Sequence, residues 1–230
     1  MANEVPLLQL EGVTKTFPNG LTALRGVNLE VSRGTVHGLL GANGAGKSTL
    51  IKILSGSLPA TGGQIVWKGA AVEYSSPKAA NDMGIATIHQ HIPLVPTLSV
   101  LENVFLGEEG RWRRNTKIRQ RFSELCARVG YWLDPDGLVS DLSIGQRQMV
   151  AILQALGTGA EMIVMDEPTA SLAASEREVV YRIVRHLSSV ENKAIVFVSH
   201  FLDEVIALTD RVTILRDAAS VATPSRPWLP

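Results

Sequence analysis

The segment Gly41-Ala42-Asn43-Gly44-Ala45-Gly46-Lys47-Ser48 has the spacing G-x-x-x-x-G-K-[ST] of a phosphate-binding loop. Glycines at these positions let the backbone fold around a phosphate, so that several N–H groups face the anion. Lys47 can neutralise β- and γ-phosphate oxygens, and the Ser48 hydroxyl can ligate Mg²⁺. The motif predicts a site for a nucleoside triphosphate with Mg²⁺. The candidate nucleotide-binding residues here are Gly41, Ala42, Asn43, Gly44, Ala45, Gly46, Lys47, Ser48 and Thr49.

Two carboxylates, Asp166 and Glu167, directly follow the apolar run Met162–Met165. Charged side chains at the end of a buried strand are costly in free energy unless they are paired with another charge or bind a metal. Beside a phosphate loop, Asp166 is a candidate magnesium ligand, and Glu167 is placed to polarise water against a γ-phosphate. An acidic strand end on its own would be a weak signal, and the phosphate loop makes it a strong one.

Two further polar residues come just after apolar runs. Gln90 follows Ile85–Ile88, and His200 follows Ala194–Val198. A neutral imidazole at His200 could donate to a transferring phosphoryl oxygen, and the Gln90 amide could sense the metal or its water. Taken alone, the histidine would be read as a satisfied core residue, and a lone glutamine would carry no signal.

Ser143 and Gln146 fit a capping box at the start of a helix whose apolar stripe includes Met149 and Leu156. The plain structural interpretation is a good N-cap and nothing more. Together with Gly145, however, the serine makes an exposed helix N-terminus suited to a second anion. One chain has no second phosphate loop to supply that anion, whereas two chains facing each other would supply it.

The elements that must position these residues can be read from the hydrophobic pattern. Strands are expected at Leu7–Phe17 and Thr22–Val31, with Pro18-Asn19-Gly20 as the turn of an antiparallel hairpin. The apolar run Val36–Leu40 then leads through the glycine-rich loop to a helix over Ser48–Leu54. Because the three later apolar runs also end in polar residues, they are typical of buried parallel strands whose carboxyl ends line a ligand crevice. The predicted fold class is α/β.

Residues 90–159 have helical periodicity and no convincing strand, which indicates an inserted helical subdomain. A second capping box, Ser99 with Glu102, starts one of its helices. We therefore expect an α/β core with a β subdomain over residues 1–89 and 160–217, and a C-terminal tail over residues 218–230. Three prolines between Pro224 and Pro230 exclude a helix at the end of that tail.

The composition excludes several classes of protein. With 230 residues, 45% of them hydrophobic, the chain can bury a core, which excludes a disordered chain. The 22 basic and 22 acidic residues give no net charge, so the molecule as a whole does not attract nucleic acid or anionic lipid. A local basic cluster is interpreted as a solvated helix face in preference to a nucleic-acid site. It consists of Arg111, Arg113, Arg114, Lys117, Arg119 and Arg121.

The cellular compartment is also constrained. A single cysteine, Cys126, cannot form a disulfide framework, and the N-terminus lacks the pattern of a secretory signal. No uninterrupted apolar stretch approaches the roughly 18 residues that a membrane span needs. We expect a protein of the cytoplasm that does not cross a membrane by itself.

The motifs, taken in order, resemble the ATPase domain of ABC transporters over nearly the whole chain. The discriminating part is the signature segment, Leu142–Gln146, placed shortly ahead of the strand that ends in Asp166-Glu167. Finer similarity lies in Leu94–Asn103, Asp166–Leu172 and Ser199–Val205, which look most like ATP-binding subunits of bacterial monosaccharide importers of the ribose, xylose and galactose type. The resemblance implies a P-loop NTPase fold of the ABC ATPase type.

The resemblance also implies an assembly. Two such domains would dimerise head to tail, with each ATP between the phosphate loop of one and Ser143, Gly145 and Gln146 of the other. Phe17 would stack on adenine, although a hydrophobic hairpin residue remains an equal interpretation. Gln90 would link the magnesium site to the helical subdomain, which takes up a coupling helix of a membrane permease.

The function implied is ATP hydrolysis that drives uptake of a small solute, a monosaccharide, at the cytoplasmic face of the membrane. Glu167 and His200 would be catalytic, and Ser48, Gln90 and Asp166 would hold Mg²⁺. The implied partners are transmembrane permease subunits, a second ATPase domain from the same or another chain, and a solute-binding protein, with no nucleic acid.

Two departures from the family pattern keep other functions open. Ala173-Ala174 stands where an aspartate is common, and Ala218 stands where a glycine usually follows the aspartate. Sugar-class members also usually carry two ATPase halves, so this sequence corresponds to a truncated or single-half version. A nucleotide-binding regulatory module with little turnover is one alternative. An ABC-type nucleic-acid maintenance ATPase is a weaker one, since long heptad arms are lacking.

Overall fold

The computed structural model describes residues 5–107 and 116–222, which form two β-sheets and a set of packed helices. The strands are β1 (Leu8–Thr16), β2 (Thr22–Val31), β3 (Val36–Gly41), β4 (Gly62–Trp67), β5 (Ala70–Ala71), β6 (Ile85–Ile88), β7 (Met162–Asp166), β8 (Ala194–Val198), β9 (Arg211–Arg216) and β10 (Ala219–Ala222). The helices are α1 (Lys47–Leu54), α2 (Pro77–Asp82), α3 (Val100–Val104), α4 (Thr116–Val129), α5 (Ile144–Gly157), α6 (Ala174–Ser189) and α7 (Leu202–Leu208).

The smaller sheet is antiparallel, with the strand order β2-β1-β4-β5. Its first hairpin pairs Leu10 with Leu29 and Val13 with Val27, so that the apolar residues of both strands lie on one buried face. At the turn, the Phe17 amide donates to the Leu21 carbonyl at 2.8 Å. The hairpin predicted from the alternating pattern is confirmed.

The larger sheet has the order β10-β9-β3-β8-β7-β6, and all its neighbouring strands are parallel except β10, which pairs antiparallel with β9. Both faces are covered, and successive residues of β7 enter different cores. Ile163 and Met165 face the core beneath the helices α3 to α6, whereas Met162 and Val164 face the core shared with α1 and the smaller sheet. Burial on both faces explains why β6, β7 and β8 are apolar runs without alternation.

Within residues 90–159, the described part contains α3, α4, a short 3-10 helix (Val139–Asp141) and α5, and no strand. Both predicted capping boxes form. The Ser99 hydroxyl accepts from the Glu102 amide at 3.2 Å, and the Ser143 hydroxyl accepts from the Gln146 amide at 3.2 Å. The boundaries of the helical subdomain stay a prediction.

Strands β9 and β10 were not anticipated from the sequence. Asp217 and Ala218, at φ 51° and 68°, both adopt the left-handed conformation that reverses the chain in a two-residue hairpin. The Arg25 amide donates to the Ala218 carbonyl at 2.7 Å, and the Asn28 amide donates to the Ser220 hydroxyl at 3.0 Å, which ties this hairpin to the smaller sheet. Residues 219–222 therefore extend a sheet instead of starting the expected tail, and the rest of that tail lies outside the described residues.

None of the helices in residues 5–107 and 116–222 is long and apolar enough to cross a bilayer.

The turn between β9 and β10 yields a stability prediction. Ala218 adopts φ 68°, where a Cβ atom costs about 1–2 kcal/mol. Replacement of Ala218 by Gly removes that cost but also loses a buried methyl group, so we expect a net gain of about 0.5–1 kcal/mol in the free energy of unfolding. Urea denaturation measures it. The matched control is Ala219→Gly in the following strand, where glycine should destabilise, and an equal loss at both positions would contradict the prediction.

Candidate functional site

Four strands of the larger sheet end at the same edge, and a cavity of about 1070 Å³ opens there. The loop after β3, Gln90 after β6, Glu167 after β7 and His200 after β8 all face it. Its lining comprises Phe17, Leu21, Thr22, Ala23, Leu40, Gly41, Ala42, Asn43, Gly44, Gly46, Lys47, Ser48, Thr49, Gln90, Asp166, Glu167 and His200. Most candidate residues predicted from the sequence thus meet in one place.

Four candidates do not line this cavity. Ala45 points away from it and packs, 6% exposed, in the core beside α1. Ser143, Gly145 and Gln146 lie at the start of α5, on another part of the surface.

The phosphate loop has the backbone geometry that an anion cradle needs. Gly44 and Gly46 adopt φ 82° and 104°, in the left-handed region that favours glycine. A Cβ atom at Gly46 would lie 2.7 Å from the carbonyl oxygen of Ala23, so a larger residue would displace β2 from the loop. Helix α1 begins at Lys47, immediately after the loop, and its free N–H groups face the same space.

Lys47 is held over this loop. Its ammonium group donates to the carbonyl oxygens of Gly41 at 2.6 Å and Ala42 at 3.2 Å, and the residue is 8% exposed. A lysine kept at this point adds a full positive charge to the partial charges of the helix N-terminus. The loop is therefore built to attract a polyanion.

Glu167 lies between two polar partners at the mouth of the cavity. Its Oε2 accepts from Gln90 Nε2 at 3.3 Å, and its Oε1 lies 3.1 Å from His200 Nδ1. The residue adopts φ 47°, an uncommon conformation for a side chain of this size, while its amide donates to the Val198 carbonyl at 3.0 Å. The backbone turns the carboxylate toward the cavity, and both of its oxygens already contact groups that can orient it.

Asp166 lies beside Glu167 in a less polar setting. Burial raises the pKa of the Asp166 carboxyl above its usual value, and the neighbouring charge of Glu167 adds to the rise, while His89 and Lys47 oppose it. A divalent cation next to this group would offset both causes, because it favours the charged carboxylate.

The donor set around Asp166 suits Mg²⁺. Ser48, Gln90 and Asp166 offer a hydroxyl, an amide and a carboxylate oxygen, all on the same cavity. In the described part of the chain, no three His, Cys, Asp or Glu side chains gather into a metal cluster. Mg²⁺ needs no such cluster, since it takes one or two carboxylates and completes its shell with phosphates and water. The residues present fit the ion.

A buried carboxylate that sequence reasoning missed joins the ends of β7 and β8. Glu204, 4% exposed on α7, accepts hydrogen bonds from the Thr169 hydroxyl at 2.9 Å, the Ser199 hydroxyl at 2.7 Å and the Tyr181 hydroxyl at 2.8 Å. Thr169 follows Glu167 by two residues, and Ser199 precedes His200. Glu204 therefore fixes the spacing of the two segments that carry the cavity's acid and imidazole. A single glutamate on a short amphipathic helix gives no sequence signal for such a role.

Comparison with known proteins identifies the family of this chain. Residues 24–170 match the family model described as ABC transporter. The chain belongs to the ABC transporter family. The family suggested by the order of the motifs is confirmed.

Similar ATP-binding proteins are known from several bacteria. A putative ribose/galactose/methyl galactoside import ATP-binding protein of Burkholderia ambifaria is 47% identical over 220 residues, which cover 94% of this chain and 42% of that protein. A ribose import ATP-binding protein of Streptomyces avermitilis is 46% identical over 224 residues, covering 96% of this chain and 42% of that protein. The chain thus spans less than half the length of these relatives.

Solved ABC transporter cassettes share the fold. A nucleotide-free ATP-binding cassette from an ABC transporter superposes with a TM-score of 0.86 at 27% identity, covering 96% of this chain and 91% of that one. A dimeric cassette in a post-hydrolysis state, bound to ADP and Pi, superposes with a TM-score of 0.81 at 26% identity, covering 95% and 98%. The α/β fold of the ABC ATPase type is confirmed.

In this ABC cassette, the signature segment lies at the tip of α5, where Ser143 is exposed and Gly145 is buried. Ser143 caps the helix, and its hydroxyl also donates to Glu176 Oε1 at 3.3 Å. Glu176 lies in the first turn of α6, which begins after Ala173. Ala173 has no side-chain acceptor for the free N–H groups of α6, while Glu176 Oε2 accepts from the Ala173 amide at 3.1 Å.

Phe17 lies on the cavity wall, at the end of β1, with the Lys15 ammonium 5.6 Å from its ring centroid. Of the two interpretations of this residue, a place at the cavity agrees with the structure, while its contact with adenine stays a prediction. In the basic cluster, Arg119 forms a salt bridge with Asp136, and the Arg121 guanidinium lies 4.8 Å from the Phe105 ring centroid. Arg111, Arg113 and Arg114 lie outside the described residues.

The Glu204 contacts give a second stability prediction. Replacement of Glu204 by Ala leaves three buried or half-buried hydroxyls without their acceptor, which should lower the free energy of unfolding by about 2–4 kcal/mol. Chemical denaturation measures the loss. Asp203→Ala removes an exposed carboxylate from the same helix and should change stability by no more than about 0.5 kcal/mol. Equal losses of stability in the two variants would show that the hydrogen bonds of Glu204 do not stabilise the fold.

Proposed function

We propose that this cassette binds and hydrolyses ATP with Mg²⁺ and so drives uptake of a monosaccharide through a membrane permease. One observation carries the proposal above all. Glu167 lies at the mouth of the phosphate-loop cavity with its carboxylate between Gln90 and His200. A base held beside a phosphate cradle is the arrangement needed to direct water at a γ-phosphate.

The triphosphate is bound by backbone and charge. The amides of the loop and the N-terminus of α1 donate to phosphate oxygens, and Lys47 exchanges its contacts with Gly41 and Ala42 for the β- and γ-phosphates. Ser48, Gln90 and Asp166 would hold Mg²⁺, which would offset the negative charge of the triphosphate. Phe17, on the cavity wall, provides a ring for the adenine.

Hydrolysis uses two side chains at the ends of β7 and β8. Glu167 accepts a proton from the water that attacks the γ-phosphorus, while the imidazole of His200 donates to a γ-phosphate oxygen and stabilises its charge. The bond that breaks is the one between the γ-phosphorus and its bridging oxygen, and the products are ADP and inorganic phosphate. Glu204 keeps the two side chains at the correct spacing, because it holds both segments through their hydroxyls.

The second half of the ATP site comes from another cassette. Ser143, Gly145 and Gln146 lie at the N-terminal tip of α5, with Ser143 exposed and Gly145 buried, and they do not line the cavity of their own chain. A head-to-tail pair would bring this tip to the γ-phosphate bound by the partner. Such a contact is favourable because the N-terminus of a helix attracts anions. The dimeric state of a cassette with the same fold supports this assembly.

The proposed role in transport is supported by the names of similar proteins. Two proteins more than 45% identical to the chain are named ribose or galactose import ATP-binding proteins. We infer that the chain lies on the cytoplasmic face of the membrane, bound to permease subunits through the helical subdomain, in a complex that also includes a solute-binding protein. Gln90, which contacts Glu167 and opens residues 90–159, connects hydrolysis to that subdomain.

A nucleotide-dependent regulatory module with little turnover is a second candidate. It is favoured by Ala173, which supplies no side-chain cap to α6 at a position where the family commonly has an aspartate. The two candidates differ in whether the chain releases phosphate from ATP.

Replacement of Glu167 by Gln tests the proposal. The amide keeps the shape of the side chain but cannot accept the proton, so phosphate release from Mg²⁺–ATP should fall by about 100-fold or more while ATP still binds. The same variant should accumulate as an ATP-bound dimer, seen as a doubled mass in analytical ultracentrifugation.

Glu178→Gln, which removes the same charge from an exposed position on α6, is the matched control and should hydrolyse ATP at the parent rate. Undiminished phosphate release in the Glu167 variant would refute the role of this carboxylate. An unmodified chain that dimerises with ATP but releases no phosphate would favour the regulatory module.

A further inference from the structure

The tip of α5 already holds an anion from its own chain. The Ser143 hydroxyl donates to Glu176 Oε1 at 3.3 Å, and Glu176 Oε2 accepts from the Ala173 amide at 3.1 Å. The carboxylate thus joins the starts of two helices, α5 and α6, and shares the partial positive charge at both. This contact spans 33 residues of sequence, and neither helix could form it alone.

Gly145 makes this contact possible. A Cβ atom at Gly145 would lie 2.4 Å from Glu176 Oε1 and 2.7 Å from its carboxyl carbon. The carboxylate therefore lies directly against the first turn of α5, in space that any other residue at this position would fill. Glycine allows an oxyanion to approach the helix N-terminus, and in this structure the oxyanion is a side chain of the same molecule.

The charge of Glu176 is not neutralised by a basic side chain. Among residues 5–107 and 116–222, no ion pair includes Glu176. The contacts that hold it are one hydroxyl, one backbone amide and the helix ends. A second anion brought to Ser143 and Gly145 would meet this negative charge at close range, where repulsion is strong.

We propose that Glu176 competes with the partner's γ-phosphate for the tip of α5 and must turn away before the two cassettes close on ATP. The inference rests on the proposed function, since it needs a second cassette to present the phosphate. Glu176 is a positioning residue in this scheme. It keeps the Ser143 hydroxyl occupied in the separated chain and releases it only when a γ-phosphate, with more charge and more acceptor oxygens, replaces the carboxylate. Closure thereby requires the intact triphosphate.

The test uses the Glu167→Gln protein, in which the ATP-bound dimer is not consumed by hydrolysis. Dimer formation is followed by analytical ultracentrifugation as Mg²⁺–ATP is increased, with and without Glu176→Gln. The glutamine oxygen can still accept from the Ala173 amide, and the glutamine NH2 group can donate to the Ser143 hydroxyl, so a contact between the two helices remains while the charge is lost. We expect half-maximal dimerisation at an ATP concentration about three- to fivefold lower, the size of a charge effect at a helix N-terminus.

Two further measurements separate competition from other causes. Glu178→Gln removes the same charge two residues along α6 and should leave the ATP dependence unchanged. Because the effect is electrostatic, the advantage of the Glu176 variant should shrink as the ionic strength rises from 0.05 M to 0.5 M. A role for Glu176 in capping alone predicts no gain from Glu176→Gln and a loss of thermal stability in Glu176→Ala.

The outcomes are distinct. If the Glu167 variant binds ATP but stays monomeric at saturation, the proposed ATP sandwich is wrong and the inference is overturned with it. If the Glu167 variant dimerises but Glu176→Gln leaves the ATP requirement unchanged or raises it, only the competition by Glu176 is overturned. An equal gain from Glu178→Gln would assign the effect to overall charge and would also overturn it.

Discussion

The shared edge at which β3, β6, β7 and β8 end is the constraint on which the rest of the structure depends. Parallel strands in register must end together, so the phosphate loop, Gln90, Glu167 and His200 come within reach of one another although they are far apart in sequence. The same arrangement buries both faces of these strands, which explains why most of their residues are apolar.

Convergence at one edge does not by itself give the correct geometry. Glu167 adopts an uncommon backbone conformation, which persists only because its surroundings hold it. The buried carboxylate of Glu204 supplies part of that hold, since it accepts from hydroxyls on the segments after β7 and at the end of β8. A buried acid with three hydroxyl donors is stable where it is, and it leaves little freedom to the chain on either side.

The phosphate loop and the tip of α5 lie on different parts of the surface, so in the proposed function one chain supplies only part of each ATP site. The phosphate loop faces the large cavity, while the tip of α5 faces solvent and Glu176. Both features use the same physics, free N–H groups at a helix N-terminus with a glycine that admits the anion. They differ in what lies nearby, a lysine at the loop and a carboxylate at the signature segment.

The sequence by itself determined the features that depend on neighbours along the chain. The phosphate loop, the two capping boxes and the first hairpin are set by residues within a few positions of one another, and their spacing is visible in the sequence. Only the tertiary structure decided the partners of Glu204 and Glu176 and the joining of β10 to the sheet. A lone glutamate looks the same whether solvent or three hydroxyls surround it, because burial and charge are properties of what the folded chain brings near.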